Sequence, residues 1–135
     1  MKSFLRRPQT QVTIAELLSS AEEKRAQGVP CQVICHHWLL QDHRNRHPKE
    51  RQAYEAAERQ LFGEMLLRNQ RGIDEEKRGE LDQAIIEYEA NVADQFVGAH
   101  PYRRLQAIYL TRRDYDNALR ISRIHSQILA RGRSS

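Results

Sequence analysis

A spacing of 34 residues constrains this chain more than any other feature. Ala84 and Ala118 lie 34 apart, and each follows a turn with acidic residues: Gly79-Glu80-Leu81-Asp82 before the first, Arg113-Asp114-Tyr115-Asp116 before the second. An alanine at the same place after two turns suits a close helix crossing, because nothing beyond Cβ holds the two backbones apart. An aromatic, Tyr88 or Tyr109, then fills the gap beside it. Tyr102-x-x-Leu105 and Tyr109 occupy the helix before the second turn. Residues 79–125 therefore read as two overlapping helical hairpins.

The remainder of the chain reads as helices leading into that region. Residues 1–11 are an extended lead-in, with Pro8 keeping Arg7 out of the helical region. Thr13-Ile14-Ala15-Glu16 has the form of a capping box, with Val12 and Leu17 placed for a hydrophobic staple. Gly28 suits a left-handed helix end, and Pro30 suits the first turn of the next helix. In that second helix, residues 30–44, Cys31, Ile34, Cys35, Trp38 and Leu39 form one apolar stripe. Asn45-Arg46-His47-Pro48 is a break. From Pro48, Tyr54, Ala57, Leu61, Met65 and Leu66 keep a helical stripe without interruption. This predicts one long helix to about Arg78, in which Gly63 costs about 1 kcal/mol relative to Ala. A third, degenerate repeat is the rival reading, and Glu50 at the position equivalent to Ala84 spoils it. Further helices are expected at Leu81–Phe96, Pro101–Arg112 and Tyr115–Ala130. The expected architecture is a single all-α domain: an N-terminal helical hairpin (1–47), a long connecting helix with two hairpins (48–130), and a frayed tail (131–135).

Over about residues 65–130 this pattern resembles the tetratricopeptide repeat family, whose period is 34 and whose signature runs Trp-x-x-Leu-Gly-x-x-Tyr and then Ala-x-x-x-Phe. The first hairpin keeps Gly72, Ala84 and Tyr88 but has Arg68, Arg71 and Glu75 where Trp, Leu and Tyr are usual. The second keeps Tyr102, Leu105, Tyr109 and Ala118, with Gln106 for Gly and Ser122 for Phe. The resemblance implies a fragment of an α-solenoid and a non-enzymatic role as a protein–protein interaction module, an adaptor or scaffold. In that family the first helix of each hairpin lines a concave groove. Carried onto this chain, the groove residues are Asn69, Ile73, Arg103, Ala107 and Leu110, with Arg103 and Arg104 able to grip a carboxylate. The Lys/Asn set of the family's carboxylate clamp is incomplete here.

Charge narrows the partner. The net charge of +4 divides into +3 over residues 1–47, −5 over 48–98 and +6 over 99–135, where eight Arg face two Asp. A basic end favours an acidic protein or peptide, or head-to-tail self-contact. Arg residues also suit phosphates, which makes a nucleic-acid-associated regulator using the C-terminal hairpin the alternative reading. No recognised nucleic-acid motif accompanies the charge, and the reading therefore favours a protein partner.

Other chemistry finds little in the sequence. Cys31-x-x-x-Cys35, His36-His37 and His43-x-x-x-His47 form the one metal-like cluster. Seven residues separate its Cys and His pairs, where a zinc finger has about 12, and on one helix His43 lies too far from Cys31 to share an ion. The expectation is two small core thiols, solvent-facing histidines, no metal and no cofactor. Neither Gly-x-Ser-x-Gly nor a phosphate-binding Gly-rich loop is present. No apolar run approaches the roughly 20 residues that span a bilayer, MKSFLRRPQTQ lacks a secretory h-region, and a Cys pair one helical turn apart is poorly placed for a disulfide. A cytoplasmic protein is expected. The stripe Ala118, Ile121, Ile124 and Ile128 on the last helix needs a cover, which predicts a homodimer burying that helix or the N-terminal hairpin.

Overall fold

The computed structural model describes residues 12–44 and 47–134, without the side chains of 42–44, 133 and 134. The expected lead-in with Arg7 and Pro8, the Asn45-Arg46 part of the break, and Ser135 lie outside the described residues. Among the described residues six helices follow one another: α1 (Ile14–Ala26), α2 (Cys31–Arg44), α3 (Pro48–Lys77), α4 (Leu81–Ala93), α5 (His100–Thr111) and α6 (Tyr115–Ser134). The architecture is all-α, built of packed helix pairs. It divides into two compact units, one ending at Phe62 and the other beginning at Gly63, so the division falls inside α3.

In the first unit α1 opens on the capping box. The Thr13 hydroxyl accepts the Glu16 amide at 3.1 Å, and the Glu16 carboxylate accepts the Thr13 amide at 2.9 Å. These bonds satisfy donors that a helix start otherwise leaves to water. Gly28, at φ 92°, ends the helix in the left-handed conformation. The buried line of α2 is Cys31, Ile34, Cys35 and Trp38, whereas Leu39 is exposed. The expected stripe is thus narrower by one residue, because position 39 lies about 100° around the helix from Trp38. On α3 the buried line runs Ala53, Ala57, Leu61, Met65, Asn69 and Gly72, at steps of three and four. Leu66, expected inward, is exposed for the same angular reason. The helix passes through Gly63 unbroken.

The second unit contains the end of α3 and the α4–α5 and α5–α6 pairs. One core joins Ala84, Tyr88 and Val92 of α4, Tyr102, Leu105, Ile108 and Tyr109 of α5, and Ala118, Ile121 and Ile128 of α6. Ile85 and Ile124 pack against it. Most of the α6 stripe is therefore covered inside the unit, with Ile124 half-buried at its edge. Two element ends differ from expectation. α4 stops at Ala93 rather than Phe96, because Gln95 turns left-handed at φ 59° and the Phe96 amide bonds back to the Asn91 carbonyl at 3.0 Å. α6 continues to Ser134 through the segment expected to fray, and there Arg131 donates to the Gln95 side chain.

The 34-residue offset holds bond by bond at the two turns. The Glu80 amide donates to the Glu75 carbonyl, and the Asp114 amide to the Tyr109 carbonyl, both at 2.8 Å. Arg78 to Asp74 pairs with Arg112 to Ile108, Gly79 to Glu76 with Arg113 to Leu110, and Ala84 to Glu80 with Ala118 to Asp114. Gly79 at φ 77° and Arg113 at φ 59° take the left-handed place in these turns, as Gly28 and Gln95 do at the ends of α1 and α4, so what is particular to the 34-residue offset is the buried alanine that follows each turn.

Candidate interaction surface of the second unit

Two side-chain triads staple consecutive helices and decide which polar groups stay at the surface. In the first, Glu76 of α3 accepts the Tyr88 hydroxyl of α4 at 2.6 Å and the Arg104 guanidinium of α5 through both oxygens. In the second, Glu89 of α4 accepts the Tyr109 hydroxyl of α5 and both terminal nitrogens of Arg120 of α6. Each triad takes its carboxylate, phenol and guanidinium from three successive helices. Burial alone would push the Glu76 carboxyl up, but the bonds from Arg104 and Tyr88 outweigh it and hold the group below the usual carboxylate range. Burial, then the neighbouring carboxylate, pushes both the Tyr88 and the Tyr109 phenols well above their ordinary value.

A third network ties α3 to α4. Arg68 donates to the Asn91 side chain at 3.1 Å and pairs with Asp94 at 2.6 Å. The buried Asn91 amide donates to the Met65 carbonyl and to the Asn69 side chain, each at 2.8 Å. Arg68 stands where the repeat pattern has Trp, and Asn69, read from the sequence as a groove residue, turns inward. Here hydrogen bonds replace apolar contact, which is stable only because every buried partner is satisfied.

These networks sort the six groove residues read from the sequence. Asn69 is buried in the asparagine pair and Arg104 is held by Glu76, so both serve the framework first. Ile73 and Ala107 are half-buried, while Arg103 and Leu110 are exposed. Arg103, Ala107 and Leu110 share one face of α5 at steps of four and three, cationic at one end and apolar at the other. The metal-like cluster does not converge among the described residues. Cys31 and Cys35 are buried, with the Cys31 thiol 3.8 Å from the Leu61 carbonyl, whereas His36, His37 and His47 are exposed. The His43 side chain lies outside the described residues.

The arginines divide too. Among the seven in residues 99–135 whose side chains are described, four are engaged within the chain: Arg104 with Glu76, Arg112 with Asp82, Arg120 with Glu89, and Arg131 with Gln95. Two histidines sit against tyrosines. His125 stacks on Tyr102 with centroids 4.7 Å apart, and His100 meets Tyr88 edge-on at 5.5 Å. Burial holds both imidazoles below their ordinary value, with the Arg103 charge adding to the effect at His125.

Sequence reasoning missed one surface. Tyr115, Leu119 and Leu129 on α6 are 62%, 50% and 45% exposed. They recur at heptad spacing with Ser122 and Ser126 between them, a signal present in the sequence but hidden beside the stronger core stripe. Among the described residues no helix is long and apolar enough to cross a membrane. No family model matches the chain, and searches of curated proteins and of solved structures found no match.

Proposed function

We propose that this chain is a non-enzymatic protein-interaction module of the cytoplasm, a tetratricopeptide-like pair of hairpins that binds an acidic protein or peptide along the end of α3 and α5. The observation that carries this reading is the recurrence, 34 residues apart, of a helix-ending turn followed by an alanine buried in the shared core, Ala84 and Ala118. A repeated hairpin presents equivalent helices side by side, and such stacks form extended binding surfaces. Ile73, Arg103, Ala107 and Leu110 are the contact residues in this reading, and Arg104 acts by fixing Glu76. A nucleic-acid role draws on the same arginines, but Arg104, Arg112, Arg120 and Arg131 are already committed to partners inside the chain. That leaves fewer guanidinium groups for phosphate.

Affinity capture from the native host's lysate, with and without nuclease, tests the reading. The expected result is a protein retained after nuclease treatment and lost with Ala107→Glu, a half-buried position where a carboxylate repels an acidic ligand. A capture abolished by nuclease and unaffected by Ala107→Glu supports the nucleic-acid role instead.

A further inference from the structure

The exposed seam of α6 has a definite direction in the second unit. Arg120 and Arg131, eleven residues apart and on one flank of the helix, reach Glu89 of α4 and Gln95 just beyond it. That flank faces α4. Ala118, Ile121 and Ile128 face the core. Tyr115, Leu119, Ser122, Ser126 and Leu129 lie at steps of four and three on the flank turned away from α4. This seam follows a mean step of 3.5 residues for about 20 Å, the pattern onto which a second helix packs at a shallow crossing angle. The two central serines are small enough for a close approach.

The charges around the seam choose its occupant. Arg123 lies four residues after Leu119 and is exposed, as are Arg113 at the preceding turn and Arg103 on α5. Arg103 is close enough to His125 for its charge to act there, which places that arginine on the α6 side of α5. Against these three cations stand two carboxylates, Asp116, exposed, and Asp114, half-buried and accepting from Asn117. A second copy laid on the same seam would bring cationic rims together, which is unfavourable. A helix with an apolar stripe and acidic rims meets both features.

We infer that the outward face of α6 is a docking surface for an acidic amphipathic helix of a partner protein, laid along Tyr115, Leu119 and Leu129 and clamped by Arg123. This surface shares Arg103 with the Ile73 and Ala107 face but has Leu119 and Arg123 to itself, so variants of those two residues and of Ala107 tell the two readings apart.

The test uses the full chain and a labelled synthetic peptide of about three heptads, with leucines at steps of three and four and glutamates beside them. A control peptide carries lysine for glutamate. Fluorescence anisotropy should show the glutamate peptide binding at least about tenfold more tightly than the lysine peptide. Leu119→Glu and Arg123→Glu, both exposed positions, should each weaken it about tenfold while circular dichroism stays unchanged, and Ala107→Glu should have no effect. No binding, equal binding of both peptides, indifference to both α6 variants, or loss with Ala107→Glu overturns the inference. So does a wild-type dimer in light scattering that Leu119→Glu returns to monomer, since the occupant is then a second copy.

Discussion

Single atoms decide the packing of the first hairpin. A Cβ added at Gly72 would lie 2.4 Å from Cε1 of Tyr88, a distance real side chains do not reach. The ring has nowhere to retreat, since Tyr88 is buried and its hydroxyl is anchored on Glu76. Gly72→Ala should therefore cost about 1–3 kcal/mol. Denaturant titration checks this, and the same change in a Tyr88→Leu background should cost less. Equal costs in both backgrounds would mean that the ring is not the obstacle. The residues 34 further on, Gln106 and Ser122, exchange large for small, and both are half-buried. At the histidines, burial favours the neutral imidazole, so the folded-state value lies below the unfolded 6.5. Their contribution to stability is present above pH 6.5 and is lost as pH falls toward the folded value, because the unfolded chain then binds more protons. His125→Phe, which keeps the ring on Tyr102, should flatten the fall in melting temperature just below pH 6.5.

At the scale of an element, the turns carry the repeat. Gly79 and Arg113 hold the same left-handed place, and L-residues there are disfavoured by about 1–2 kcal/mol. Gly79→Ala should lower stability by about that amount, whereas Arg113→Gly should lower it little or not at all. Thermal melts of the two variants check the pair, and equal losses would argue against equivalent turns. The crossings are the other shared feature. Ala84 and Ala118 are both buried in one core, so Ala84→Leu should overpack it at a cost of about 1–3 kcal/mol. A melt indistinguishable from wild type would remove the close crossing from the argument.

For the whole molecule, the state of association follows from which faces remain uncovered. Most of the α6 core stripe is covered within its own unit, and the seam on its other side is rimmed by arginine. Light scattering of the purified chain at micromolar concentration should therefore give a mass near 15.9 kDa. A mass of twice that value would support the homodimer that the sequence pattern suggested.

How much was legible depended on how local the physics is. Capping, left-handed glycine and proline act within a turn of helix, so the Thr13 box and Gly28 could be read directly from the chain, whereas at Gly63 the unbroken stripe favoured one helix without excluding a degenerate repeat. So could the 34-residue period, because the two alanines and their turns repeat in linear order. What lay beyond reach depended on partners distant in sequence. Nothing near Arg104 announces that Glu76, 28 residues earlier, would hold it, nor that Asn69 would turn inward to Asn91. The α6 stripe looked unpartnered from its own periodicity, since periodicity reports that a face is apolar but not which helix covers it. Tertiary packing supplied that cover and left the seam of Tyr115, Leu119 and Leu129 outside, because one helix has more apolar flanks than its own hairpins can bury.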